Sequence, residues 1–191
     1  MKNVTDLLLS QLGEGGLNKL AEQAGGKKEQ VKTAVEGSIP VLLNAISQNT
    51  KTQEGANNFL SALDRDHDGS MLDNIGEHLQ NPSRVNGEGI LNHILGSKKT
   101  EVENQLAASS GLKPGGVSKI LQMVAPLLMG FLGQQKKKLG GALNAGNISG
   151  ILSSLGSGKG LDISSMLSMA GGGAEGAAKS VLGKVTNMFG K

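Results

Sequence analysis

No cysteine, tryptophan or tyrosine occurs in these 191 residues, and there are only three phenylalanines. Without cysteine there are no disulfides, no thiolate nucleophile and no cysteine-type zinc site, a composition that fits a reducing compartment. Leu, Ile, Val, Met and Ala must then fill the core, which suits packed helices better than aromatic-rich sheets. No unbroken apolar run approaches the roughly 20 residues needed to cross a bilayer, and the opening MKNVTDLLLSQLGEGG lacks the long apolar stretch of a signal peptide. No transmembrane segment and a cytoplasmic location are therefore expected. Arginine is nearly absent as well, so the formal charge of +3 comes from scattered lysines and only weakly permits an acidic partner.

What the chain does contain is repetition. Residues 20 to 48 read LAEQAGGKKEQVKTAVEGSIPVLLNAISQ, and residues 106 to 134 read LAASSGLKPGGVSKILQMVAPLLMGFLGQ. At an offset of 86 the two share Leu20/Leu106, Ala21/Ala107, Gly25/Gly111, Val31/Val117, Pro40/Pro126, Leu42/Leu128 and Gln48/Gln134. Upstream, VTDLLLS from Val4 sits opposite ILNHILG from Ile90, and downstream FLSAL from Phe59 recurs as ILSSL from Ile151. Such self-similarity predicts a tandem duplication, with the second copy richer in glycine.

Within each copy the apolar spacing is helical. Val31, Ala34, Val35, Ile39, Leu42, Leu43 and Ile46 recur at intervals of three and four, the stripe of an amphipathic helix. Pro40 lies inside that stripe and predicts a kink or break, as does Pro126 in the second copy. Thr52 is an N-cap candidate for TQEGANNFLSAL, and SMLDNIGEHL predicts a helix starting near Asp68 or Ser70. No useful length alternates with period two. The expected class is all-α: a multi-helix bundle of two duplicated units, residues 1–82 and 86–170, containing helix-turn-helix-like packing. Residues 171–191 add a glycine hinge and a short amphipathic helix.

The phrases GILNHILGSKKTEVENQLAASSGLKPGGVSKILQMVAPLLMGFLGQQ, SIPVLLNAISQNT and LDRDHDGSMLDNI together closely resemble the bacterial YidB-like family, domain of unknown function 937. The resemblance spans roughly residues 5 to 170. It implies an all-helical bacterial protein without an assigned activity, and it brings no catalytic residues with it.

Three stretches invite a functional reading. LDRDHDGSMLDNI begins like the loop of a calcium-binding EF-hand: Asp64, Asp66, Asp68 and Gly69 supply its first ligands and turn, and Met71 its apolar eighth position. Position 12, where a bidentate glutamate belongs, is Ile75, so residues 64–75 make at best a weak calcium module. The matching connection in the second copy, LGSGKGLDISSML, keeps only Asp162. The simpler reading is a turn in which Asp68 or Ser70 caps the next helix and Gly69 takes a backbone conformation other residues avoid.

The second stretch follows a turn glycine. Ala21, Gly25 and Val31, repeated as Ala107, Gly111 and Val117, have the spacing of two short helices crossing around a tight turn. As a nucleic-acid site it would use Lys27, Lys28, Gln30 and Lys32, interleaved with Glu29 and Glu36, whereas the second copy offers only Lys113, Lys119 and Gln122. Packing geometry is the preferred reading of both, with a nucleic-acid-associated protein as the alternative.

The third stretch is the C-terminal third, a mixture of Gly, Ser, Ala and Leu in which GGG at 171–173 predicts a hinge. Beyond it Val181, Leu182, Val185, Met188 and Phe189 form an apolar stripe, with Lys179, Lys184 and Lys191 elsewhere on the helix. Such a helix docks on its own body, on a partner or on a membrane surface.

Catalysis finds little support. His67, His78 and His93 form no pair spaced by four, and neither a GxSxG elbow nor a GxxxxGK loop occurs, while GSGKG at 156–160 follows no strand. The sequence therefore points to a non-enzymatic scaffold or interaction protein with no cofactor, acting through a protein partner or by self-association.

Overall fold

A computed structural model describes residues 3–81 and 85–156. Its helices in order are α1 (Val4–Ala24), α2 (Lys28–Asn49), α3 (Gln53–Arg65), α4 (Ile75–Gln80), α5 (Gly87–Leu95), α6 (Lys99–Ser110), α7 (Pro114–Leu139) and α8 (Ile148–Gly156), with no strand among the described residues. The all-α class holds.

Local chemistry accounts for most helix ends. The Asn3 side chain accepts from the Asp6 amide at 2.8 Å while Asp6 accepts in return from the Asn3 amide, a reciprocal cap that starts α1. Thr52 caps α3 by accepting from the Gly55 amide at 3.1 Å. Helices α1 and α6 end on glycines with left-handed backbone, Gly25 at φ 68° and Gly111 at φ 71°, and each donates its amide back to an alanine carbonyl, Ala21 or Ala107.

Three expectations need correction. The break expected at the prolines does not occur: α2 is continuous through Pro40 and α7 through Pro126. A proline ring fixes φ near the helical value, so what it costs is one donor and a steric strain of about 3 kcal/mol. The complete burial of Ile39, Leu42 and Leu43 around Pro40 outweighs that cost. In α7 the Gln122 carbonyl, which loses its helical donor to Pro126, has Gly87 packed onto it; a Cβ at Gly87 would lie 2.0 Å from that oxygen.

The second correction is a kink where none was foreseen. Gly13, inside α1, has φ 59° and ψ −173°. The buried residues of α1 are Val4, Leu8, Leu12, Leu17 and Leu20, and the step of five between Leu12 and Leu17 is out of helical register. A non-helical residue between them turns both apolar sets onto the same core.

The third concerns α7. By length and composition its 26 residues suffice to cross a membrane, and Gln122 and Pro126 hid this from a search for an unbroken run. Of its apolar window 78% is buried inside the bundle, the environment of a core helix. Gly130 and Gly133 let the 67–69 loop lie directly on it: a Cβ at Gly133 would stand 1.7 Å from the His67 carbonyl oxygen.

Around α7 the other helices form a single buried apolar cluster reaching from Val4 to Leu155, so segments on both sides of residues 82–84 share one core. Helix α8 runs antiparallel to α2: Ser47 and Ser149 exchange hydroxyl-to-carbonyl hydrogen bonds at 2.8 and 3.0 Å, and Gly156 reaches the level of Pro40 and Asn44. The two interhelical turns, 25–27 and 111–113, also touch. Gln30 donates to the Gly111 carbonyl at 2.7 Å, and Lys119 donates to the Gln23 carbonyl at 3.1 Å.

Candidate functional site

The acidic loop leaves α3 at Arg65 and turns under α7. Its three aspartates do not converge; each is drawn to its own partner. Asp64 pairs with Lys136 of α7, Asp66 with the neighbouring Arg65, and Asp68 with Lys137 at 3.0 Å. Asp68 also accepts from the Ser70 hydroxyl at 2.7 Å and the Ser70 amide at 3.0 Å. These bonds from Ser70, then the one from Lys137, hold its carboxyl far below the ordinary range. Gly69 has φ 96°, and after it comes a 3₁₀ turn over Ser70–Asn74 before α4 begins, later than the sequence suggests. Position 12 of the EF-hand pattern, Ile75, starts that helix. Among the described residues no group of three or more His, Asp or Glu is arranged to hold a metal ion. In this arrangement lysines that arrive from α7, 69 and more residues away in the chain, pair with carboxylates that a calcium loop would use.

In the lysine cluster two of the three lysines lie near glutamates. Lys28 forms a 2.5 Å contact with Glu14 of α1, which lowers the glutamate's pKa and raises that of the lysine. Lys32 lies 3.9 Å from Glu36. Gln30 is spent twice, accepting from the Lys27 amide at 3.0 Å and donating to Gly111. Lys27 sits at the N-cap of α2, which turns its apolar stripe into the core.

The three histidines differ in their surroundings. His93 is exposed, but His78 is buried at 7% exposure and His67 is half-buried. Both line a cavity of about 320 Å³ beneath the 66–71 loop, together with Ser70, Asn74 and Glu77. Nε2 of His78 lies 3.3 Å from the Met123 carbonyl, and Nδ1 of each ring has no hydrogen-bond partner among the described residues. Burial pushes both pKa values down, so both rings are neutral near pH 7; the Asp66 charge opposes this at His67, and the Met123 carbonyl opposes it at His78. The only sequence signal for His78 is its place beside Leu79 on the buried side of α4.

The largest concave surface among those described lies between α3, α5 and α7 and was not anticipated. It encloses about 790 Å³, with Phe59, Met71, Ile90, Ile94 and Met129 as its apolar floor. Asn58, Arg65, Asn86 and His93 stand at its edge, and Arg65 is already paired with Asp66. Two thioether side chains give that floor an adaptable shape. Its residues come from three helices and the segments between them, spread from Asn58 to Met129, so no local motif announces it. The apolar stripe Val181, Leu182, Val185, Met188 and Phe189 lies outside the described residues.

Comparison with known proteins gives one match: the profile of a family described as "Bacterial protein of unknown function (DUF937)" covers residues 6–135. No curated protein and no solved structure matches the chain.

Proposed function

The chain belongs to this bacterial family of unknown function, and from that premise we propose a non-catalytic role as a helical interaction module that takes an amphipathic helix of a protein partner into the α3–α5–α7 groove. The observation that carries the reading is the groove itself: about 790 Å³, floored by Phe59, Ile90, Ile94 and two methionines, with its edge charge already compensated. A helix laid in such a groove gains affinity by burying residues at i, i+3, i+4 and i+7, and methionine lets one surface fit several sequences. The other candidate residues support the same reading. Asp64, Asp66 and Asp68 of the acidic loop and Lys28 of the lysine cluster are each engaged in an ion pair.

The test is a methyl-resolved NMR titration with a leucine- and methionine-rich amphipathic helical peptide. Resonances of Met71, Ile90, Ile94 and Met129 should move together, and Ile90→Glu should abolish the response while leaving helical circular dichroism unchanged. Shifts scattered over the whole surface, or unimpaired binding by Ile90→Glu, would refute the assignment.

A further inference from the structure

Resting on that groove as the working surface, we infer that its resident occupant is the chain's own C-terminal segment, residues 181–189, so that an external helix binds by displacing it. Three observations meet here. The first is where the described chain ends. Gly156 closes α8 against Pro40 and Asn44 of α2, so the 35 residues that follow start beside the middle of that helix.

The second is the surface between that point and the groove. Asn44, Ala45, Gln48 and Asn49 line a shallow trough along α2 that shares His93 and Ile94 with the groove. At its far end the Asn49 amide donates to the His93 and Ile94 carbonyls at 3.2 and 3.0 Å, tying the trough to the groove wall. From Pro40 to Asn49 is nine residues of helix, about 14 Å. The 24 residues 157–180 span at most about 80 Å when fully extended. The groove therefore lies well inside that reach, and the tether gives the segment an effective concentration on the order of millimolar.

The third is chemical fit. Val181, Leu182, Val185, Met188 and Phe189 follow the i, i+1, i+4, i+7, i+8 pattern of one helical face, the pattern such a groove reads. Lys179 and Lys184 fall off that face, and the groove's edge offers Asn58, Asn86 and His93 with no uncompensated carboxylate or cation to repel the segment. A second copy of the chain carries the same stripe but lacks the tether, so at ordinary concentrations the copy in cis has the advantage.

The absence of cysteine makes the test direct. In full-length chain carrying Ile90→Cys and Phe189→Cys, a short bis-maleimide should give an intramolecular cross-link at least about ten-fold faster than in a Glu36→Cys, Phe189→Cys control. Glu36 is exposed and lies one turn from Pro40, nearer the point of departure than the groove is. Equal rates would overturn the inference, and so would a cross-linked dimer, which would assign the groove to a second copy. The second arm repeats the peptide titration on full-length Leu182→Glu, Phe189→Glu chain. Binding about ten-fold tighter than wild type is the expected result. Unchanged affinity would refute the cis occupant while leaving the groove intact as a binding surface. No groove response in either chain would refute the groove itself, and the inference with it.

Discussion

At the first joint between helices, α1 ends on Gly25 and α2 starts after Lys27; at the second, α6 ends on Gly111 and α7 starts after Lys113. The two turns share their left-handed glycine and its hydrogen bond to an alanine carbonyl. Where they press on each other they use opposite means. The first joint contributes Gln30, whose amide reaches the Gly111 carbonyl. The aligned position in the second joint is Gly116, whose missing side chain lets α7 approach the first joint so closely that a Cβ would lie 2.4 Å from the Ala24 oxygen. Similar backbones thus arise from similar local signals, while the contact between them is built from unequal, complementary parts, a long side chain on one side and none on the other. The longer-range surroundings diverge further. Helix α2 buries a stripe and leaves a polar face to solvent, whereas α7 is buried around most of its circumference.

The largest effects should come where the halves are most alike. Leu42 and Leu128 are aligned, and both are fully buried. Truncating either to alanine should cost about 3 kcal/mol, read as a drop in thermal midpoint. A cost at one site less than half that at the other would mean that α2 and α7 are not comparable members of the core.

The contact between the joints should respond unequally. Gly116→Ala forces a methyl onto a backbone oxygen, so a loss of about 2 kcal/mol is expected even though alanine is the better helix former. Gln30→Ala removes two exposed hydrogen bonds, from the Lys27 amide and to the Gly111 carbonyl, and should cost about 1 kcal/mol. Denaturant unfolding of the two variants ranks them, and the reverse order would break the comparison.

The most gradual effect is acid sensitivity, which is concentrated in the first half. Burial holds both His67 and His78 below the value of about 6.5 at which an unfolded chain takes up its imidazole protons. Just under that pH the unfolded state binds more protons than the folded one. Stability should therefore fall as pH drops from about 6.5 and level off once the folded histidines are themselves protonated. Urea midpoints across this range should decline for wild type and flatten for His67→Gln, His78→Gln; a flat wild-type profile would show that the two rings are freely hydrated.

Much of this architecture is legible in the amino-acid order alone. The all-helical class follows from apolar spacing, both joints from Gly25 and Gly111, the start of α3 from Thr52, and the turn at Asp68–Gly69 from the special backbone freedom of glycine and the reach of an aspartate to the next amides. All are short-range effects, settled within a few residues of the side chain concerned. Only tertiary structure decided the rest. The cores around Pro40 and Pro126 carry their helices through, Lys136 and Lys137 arrive from α7 to claim aspartates that resemble calcium ligands, His78 sinks beneath a loop, and α3, α5 and α7 leave a groove between them. Each of these outcomes depends on which distant surfaces meet, because burial and charge pairing act through space and are indifferent to separation along the chain.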